Sequence, residues 1–128
     1  MADSRRHFRI KERVPVRWKI KGKNVEGQGE VLNISISGVL LETDSAFSPI
    51  DDSELEIEPI EKTIDFIPPS GRLMWFRKIK ILNTRFWCGL EFVKPSQEVV
   101  EKIKGKVEEA QEQMAKAANV NILQNYYV

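Results

Sequence analysis

"NISISGVLL", residues 33–41, is the stretch on which the fold turns. It begins as the end of one β-strand and finishes as the start of another, with Asn33, Ser35, Ser37 and Gly38 between them. Val31 and Leu32 precede it, and Val39, Leu40 and Leu41 complete it, so apolar residues flank a small polar turn. Asn and Ser side chains hydrogen-bond backbone groups in turns, and Gly takes positive φ without a Cβ penalty. The stretch therefore reads as a tight connection between two core strands, with Gly38 supplying the turn's backbone freedom.

On either side of that connection the pattern is period two. Val14, Val16, Trp18 and Ile20 alternate with Pro15, Arg17, Lys19 and Lys21, which predicts a half-buried strand from Val14. "KGKN", residues 21–24, is a turn signal, and "VEGQGEVLNI" then runs into the quoted stretch as a second strand whose glycines predict a bulge or tight bending. "GVLLET" is the third strand, Asp44 to Ser53 a loop, and "ELEIEPI" the fourth strand. "TIDFI" leads into "PPSG", after which "RLMWFRKIKIL" and "TRFWCGLEFV" flank a turn at Asn83 and Thr84. About six short strands with turns between them predict an antiparallel all-β barrel or sandwich.

After Pro95 the period changes. Val100, Ile103, Val107, Ala110, Met114 and Ala117 recur at helical spacing among Lys and Glu, which predicts an amphipathic helix over residues 95–118 and a less regular tail over 119–128. Pro95 and Ser96 are start signals, and Gly105 costs about 1 kcal/mol relative to Ala. The apolar seam is expected to pack on the barrel; a self-associating heptad seam is the weaker alternative.

The chain has 128 residues, 41% hydrophobic and 30% charged, which is the composition of one globular domain. No apolar run approaches the roughly 18 residues of a membrane span, and the first residues lack the apolar segment of a secretory signal, so a cytoplasmic protein without membrane insertion is expected. One cysteine, Cys88, and one histidine, His7, leave no disulfide and no structural zinc site. Cys88 sits among Phe86, Trp87, Gly89 and Leu90 and is expected to be a buried, inert thiol. The net charge of +1 conceals strong segregation: residues 1–23 hold nine Lys/Arg against two acids, and residues 42–65 hold one Lys against nine acids. A basic arm over residues 1–12 ahead of a barrel over 13–94 favours an anionic partner.

Two short patterns give that partner a chemistry. Arg5, Arg6 and Arg9 precede the first strand as "RRHFR", and Asn33, Ser35 and Gly38 mark the polar turn. In this order and spacing they resemble the PilZ domain, a bacterial receptor for cyclic di-GMP. The family's Arg-x-x-x-Arg motif is matched by Arg5 and Arg9, and its Asp/Asn-x-Ser-x-x-Gly motif by Asn33, Ser35 and Gly38. Trp75 in "LMW" and the strand "CGLEF", residues 88–92, extend the resemblance over roughly residues 5–110. It implies a six-stranded barrel with a C-terminal helix, and a ligand site made of Arg5, Arg6, Arg9, Asn33, Ser35, Gly38 and Trp75.

The chemistry of the residues agrees. A planar guanidinium can bond phosphate or the guanine O6/N7 edge and can stack on a ring. The arm would wrap the ligand, the turn would offer compact polar groups to base edges, and Gly38 would leave room for its approach. No catalytic motif, cofactor site or metal spacing is present in the sequence, so a binding switch that alters contacts with an effector protein is expected rather than an enzyme. One alternative is a PilZ-like adaptor that binds protein without nucleotide. Another is a small-barrel protein for RNA or single strands using Trp75, Phe76, Phe86 and Trp87 as stacking platforms, which the acidic segment disfavours; no nucleic acid polymer is therefore expected.

Overall fold

A computed structural model of the chain describes residues 8–43, 53–80 and 84–127, and their side chains except that of residue 80 and those beyond 118. Arg5, Arg6, the loop expected from Asp44 and the turn expected at Asn83 lie outside the described residues. Six strands, β1 (Ile10–Ile20), β2 (Glu26–Ile34), β3 (Gly38–Thr43), β4 (Glu54–Pro59), β5 (Ser70–Lys80) and β6 (Thr84–Phe92), form a closed barrel in the order β1-β2-β3-β6-β5-β4. Every pairing is antiparallel, and one helix, α1 (Gln97–Tyr127), follows.

The period-two pattern of β1 does what it predicts: Val14, Val16, Trp18 and Ile20 are buried while Pro15, Arg17 and Lys19 are exposed. The "KGKN" turn closes the β1–β2 hairpin with Ile20 N–H bonded to Val25 C=O at 2.9 Å. Gly22 takes φ 79° there, a conformation that L side chains rarely adopt. β1 begins four residues earlier than the alternation indicates. Ile10 pairs with Ile34 and Lys11 with Asn33, and a register shift between Lys11 and Val14 breaks the period that a sequence pattern can follow. Residues 10–12, expected in the arm, therefore belong to the barrel.

β3 turns away from β1 and pairs with β6, from Gly38 against Glu91 to Thr43 against Phe86. This joins the first three strands to the β5–β6 hairpin. β4 completes the ring, pairing with β1 over Val16–Ile20 and with β5 through Glu54, Leu55 and Glu56. The interior is filled by Val31, Ile34, Val39, Leu41, Leu55 and Leu90 among others, with Phe66 and Ile67 added from the segment between β4 and β5. Cys88 is part of this core, and burial pushes its thiol up to about 12.

Lys94, at φ 44°, redirects the chain after β6, and the Ser96 Oγ accepts the Val99 N–H at 3.2 Å as the cap of α1. Ile103 is fully buried and Val107 nearly so, with Val99 and Ala110 packed beside them. Lys102 binds Asp65 at 2.8 Å, and Lys106 reaches Glu12 at 3.7 Å and the Phe66 ring centroid at 4.2 Å. These contacts seat the first half of α1 over the barrel end where β1 starts and β6 finishes. The seam was expected to pack as far as Ala117. It stops at Ala110: every described side chain from Gln111 onward is exposed, Met114 to 58%. The helix itself continues to Tyr127, through residues expected as a tail, because no Gly or Pro interrupts it after Gly105. Among the described residues no helix is long and apolar enough to cross a membrane.

Two outcomes follow from this packing. Ile103→Ala should destabilise the fold by about 2–5 kcal/mol in urea melts, whereas Met114→Gln should change it by less than about 0.5 kcal/mol. The Cys88 thiol should resist alkylation at pH 8 in the native chain and react at once in denaturant, because its thiolate is disfavoured until burial is lost.

Candidate functional site

The polar turn is a joint between strands. Ser35 is 1% exposed, and its Oγ accepts the N–H groups of Ser37 at 3.2 Å and Gly38 at 3.3 Å. The two serine hydroxyls lie 3.1 Å apart, and the Ser35 N–H bonds to Gly38 C=O at 2.9 Å. The turn is tied to β6 by the Phe92 N–H, which donates to Ser37 C=O at 2.8 Å. Gly38 was expected to supply positive φ; Gly22 alone among the described glycines does so. What requires glycine at 38 is its neighbour: a Cβ there would collide with the backbone carbonyl of Leu90 on β6. The close approach is to a strand.

Asn33 stands just before this joint and half-buried on the barrel's outer face. Its Oδ1 accepts from Arg9 Nη1 at 3.0 Å, so two of the expected site residues, 24 positions apart, are in contact. The register then carries a single row across the wall. Lys11 pairs with Asn33, Asn33 with Leu40, Leu40 with Gly89 and Gly89 with Trp75. Asn33 and Trp75 are three strand spacings apart, about 14 Å along the sheet.

Two bulges aim the ends of the row. The β2–β3 register shifts between Val31 and Asn33, and the β5–β6 register between Leu73 and Trp75. An extra residue breaks the alternation locally, so Leu32 and Asn33 leave the core together, as do Met74 and Trp75. Trp75 is 43% exposed, and its indole lies where a Cβ on Gly89 would sit. The Arg77 guanidinium carbon is 5.9 Å from the indole centroid, within range of a cation–π contact.

Arg9 and Asn33 are thus in contact, and the row runs from Asn33 past Leu40 to Trp75 on the same wall. Ser35 and Gly38 lie behind it as the frame of the turn; Arg5 and Arg6 are outside the described residues. Gly89 and Arg77 carried no role in the sequence reading. The available signal was a glycine inside a strand, which marks a close approach. The aromatic platforms expected of a single-strand binder are mostly spent: Phe86 is buried and stacked with Phe76 at 5.3 Å, and Trp87 Nε1 donates to Glu42 Oε2 at 2.9 Å. A cavity of about 550 Å³ bounded by Arg17, Lys19, Glu56 and Glu58 lies six residues further along β1, about 20 Å away, where cations and carboxylates already face one another. No group of metal-ligating side chains occurs among the described residues.

The PilZ domain matches this chain over residues 3–109. The chain belongs to the PilZ domain family. No curated protein matches it significantly in sequence. Among solved structures, the PilZ domain with c-di-GMP of YcgR from Escherichia coli superposes with a TM-score of 0.67 at 15% identity, covering 91% of this chain and 98% of that one. The Bacillus subtilis inhibitor of motility (MotI/DgrA) gives 0.67 at 13%, covering 88% of this chain and 53% of that one. The K. pneumonia MrkH–c-di-GMP complex gives 0.61 at 11%, covering 91% and 56%. These likenesses are of fold, and the PilZ barrel with its C-terminal helix is the architecture described above.

The two close approaches should respond differently to a methyl group. Gly38→Ala meets an immovable backbone carbonyl and should cost about 1–3 kcal/mol, lowering the melting temperature by several degrees. Gly89→Ala meets a side chain that can swing away, so the fold should survive. The Trp75 indole resonance in an NMR spectrum should move instead.

Proposed function

We propose that this PilZ domain is a cytoplasmic receptor for cyclic di-GMP and acts as a switch on an effector protein. The observation that carries the proposal is the Arg9–Asn33 pair at one end of a row whose other end presents Trp75. The ligand combines two phosphates with two guanines, and the row offers the matching groups: a guanidinium, an amide and an aromatic face. Arg9, joined by Arg5 and Arg6 from the preceding arm, would take phosphate or the guanine O6/N7 edge. Asn33 would bond a base edge, and Trp75 would receive a purine ring.

Ser35 and Gly38 would act from behind by holding Asn33 in place, since the Ser35 hydroxyl is engaged within the turn. Drawing the arm onto the nucleotide would order it at about 1–2 kcal/mol per fixed residue, which the new contacts must exceed. The changed surface would be what an effector reads.

Isothermal titration of the full chain with cyclic di-GMP tests the reading. Arg9→Ala should remove about 1.5–3 kcal/mol, roughly a ten- to hundredfold loss of affinity, with little change in melting temperature. Unchanged affinity in Arg9→Ala, or no binding by the wild-type chain, would overturn it.

A further inference from the structure

Arg77 is exposed, and among the described residues no carboxylate lies within ion-pair distance of it; its guanidinium carbon lies 5.9 Å from the Trp75 indole centroid. Arg72, earlier on the same strand, is placed differently. It sits in register between Glu54 and Glu91. Between Asp65 and Glu91 the sequence contains five Lys/Arg and no acid, and the carboxylate in the row of Arg77, Glu42, lies beyond Trp87 and accepts from the Trp87 indole.

Residues i and i+2 of a strand share a face, which puts the Arg77 fork beside the ring at the same outer surface. The ring itself is fixed: the bulge at Met74 turns it outward, and the bare backbone of Gly89 lets it lie down. An aromatic face with a guanidinium fork at its margin can hold a purine by stacking while reading the acceptor pair O6 and N7, which guanine presents and adenine does not.

We propose that Trp75 and Arg77 form a guanine-reading subsite, with Arg77 the residue that distinguishes guanine from adenine and Gly89 the residue that positions the ring. The subsite rests on the cyclic di-GMP reading and deepens it. A bound dinucleotide would span the row, with one base near Arg9 and Asn33 and the other on Trp75. Lysine at 77 would keep the charge and lose the fork.

The test is isothermal titration of the full chain with cyclic di-GMP and cyclic di-AMP, comparing wild type, Arg77→Ala, Arg77→Lys and Gly89→Ala. Wild type should prefer cyclic di-GMP. Both Arg77 variants should lose about tenfold or more of that preference, the size of one bidentate base contact, with unchanged melting temperature. Gly89→Ala should weaken both ligands, because the stacking surface moves while the fork remains. Cyclic di-GMP binding whose preference is the same in Arg77→Ala as in wild type overturns the subsite and leaves the receptor reading standing. Absence of cyclic di-GMP binding in wild type overturns both.

Discussion

β3 can lie against β6 because residue 38 has no side chain. At that point the Leu90 carbonyl occupies the space a Cβ would need, and the turn preceding it is bolted to the end of β6 through Ser37 and Phe92. The pairing that begins there runs to Thr43 and is one of two seams that make a ring from two pieces, the β1–β2–β3 meander and the β4–β5–β6 half. The other seam, β1 with β4, is five residues long. Loss of the first would open the barrel along the wall that carries the candidate site. Ser35 serves the same joint, since burying its hydroxyl is tolerable only with its hydrogen bonds satisfied inside the turn.

That rigidity explains how a surface row can be held to a fixed geometry. Strands set the spacing between Asn33, Leu40, Gly89 and Trp75, and bulges set the direction in which the end residues point. Each bulge has a cost. It leaves ladder groups less well paired and sends an apolar neighbour outward with the candidate site residue, Leu32 with Asn33 and Met74 with Trp75. Met74 is 57% exposed as a result. Two such departures in one row, on strands far apart in sequence, are the pattern expected where aiming a side chain outweighs covering it.

The strands were legible because alternation survives wherever one face is buried, and β1 from Val14 onward shows it directly. The motif around the turn was legible for the same reason: small polar residues between apolar runs leave few alternatives. The positions of the bulges were not: Gly27 and Gly29, which pointed to one in β2, run in regular register, while each actual bulge deletes the period that would reveal it, and the early start of β1 at Ile10 was hidden with them. Gly38 illustrates a different limit. A glycine in a sequence signals either positive φ or a crowded neighbour, and only the facing strand decides between them. Trp75 was picked out, but its seat was not, because Gly89 lies 14 positions away and meets it only through the β5–β6 register. The length of α1 was missed because an apolar seam reports where a helix packs, and this helix continues past its last buried contact at Ala110.

The Arg9–Asn33 bond gives the proposed ligand a definite task. A half-buried amide and a guanidinium that satisfy each other must exchange that bond for bonds to nucleotide, so the gain on binding is the difference between the two. Against that loss stands preorganisation. Phe8 packs against the core and Ile10 is in the ladder, so Arg9 is held at both neighbours before any ligand arrives. Ordering it then costs little of the 1–2 kcal/mol, roughly, that each free residue would lose. On the proposed reading Arg9 would therefore belong with Asn33 to the part of the site that the barrel holds in place before the nucleotide binds.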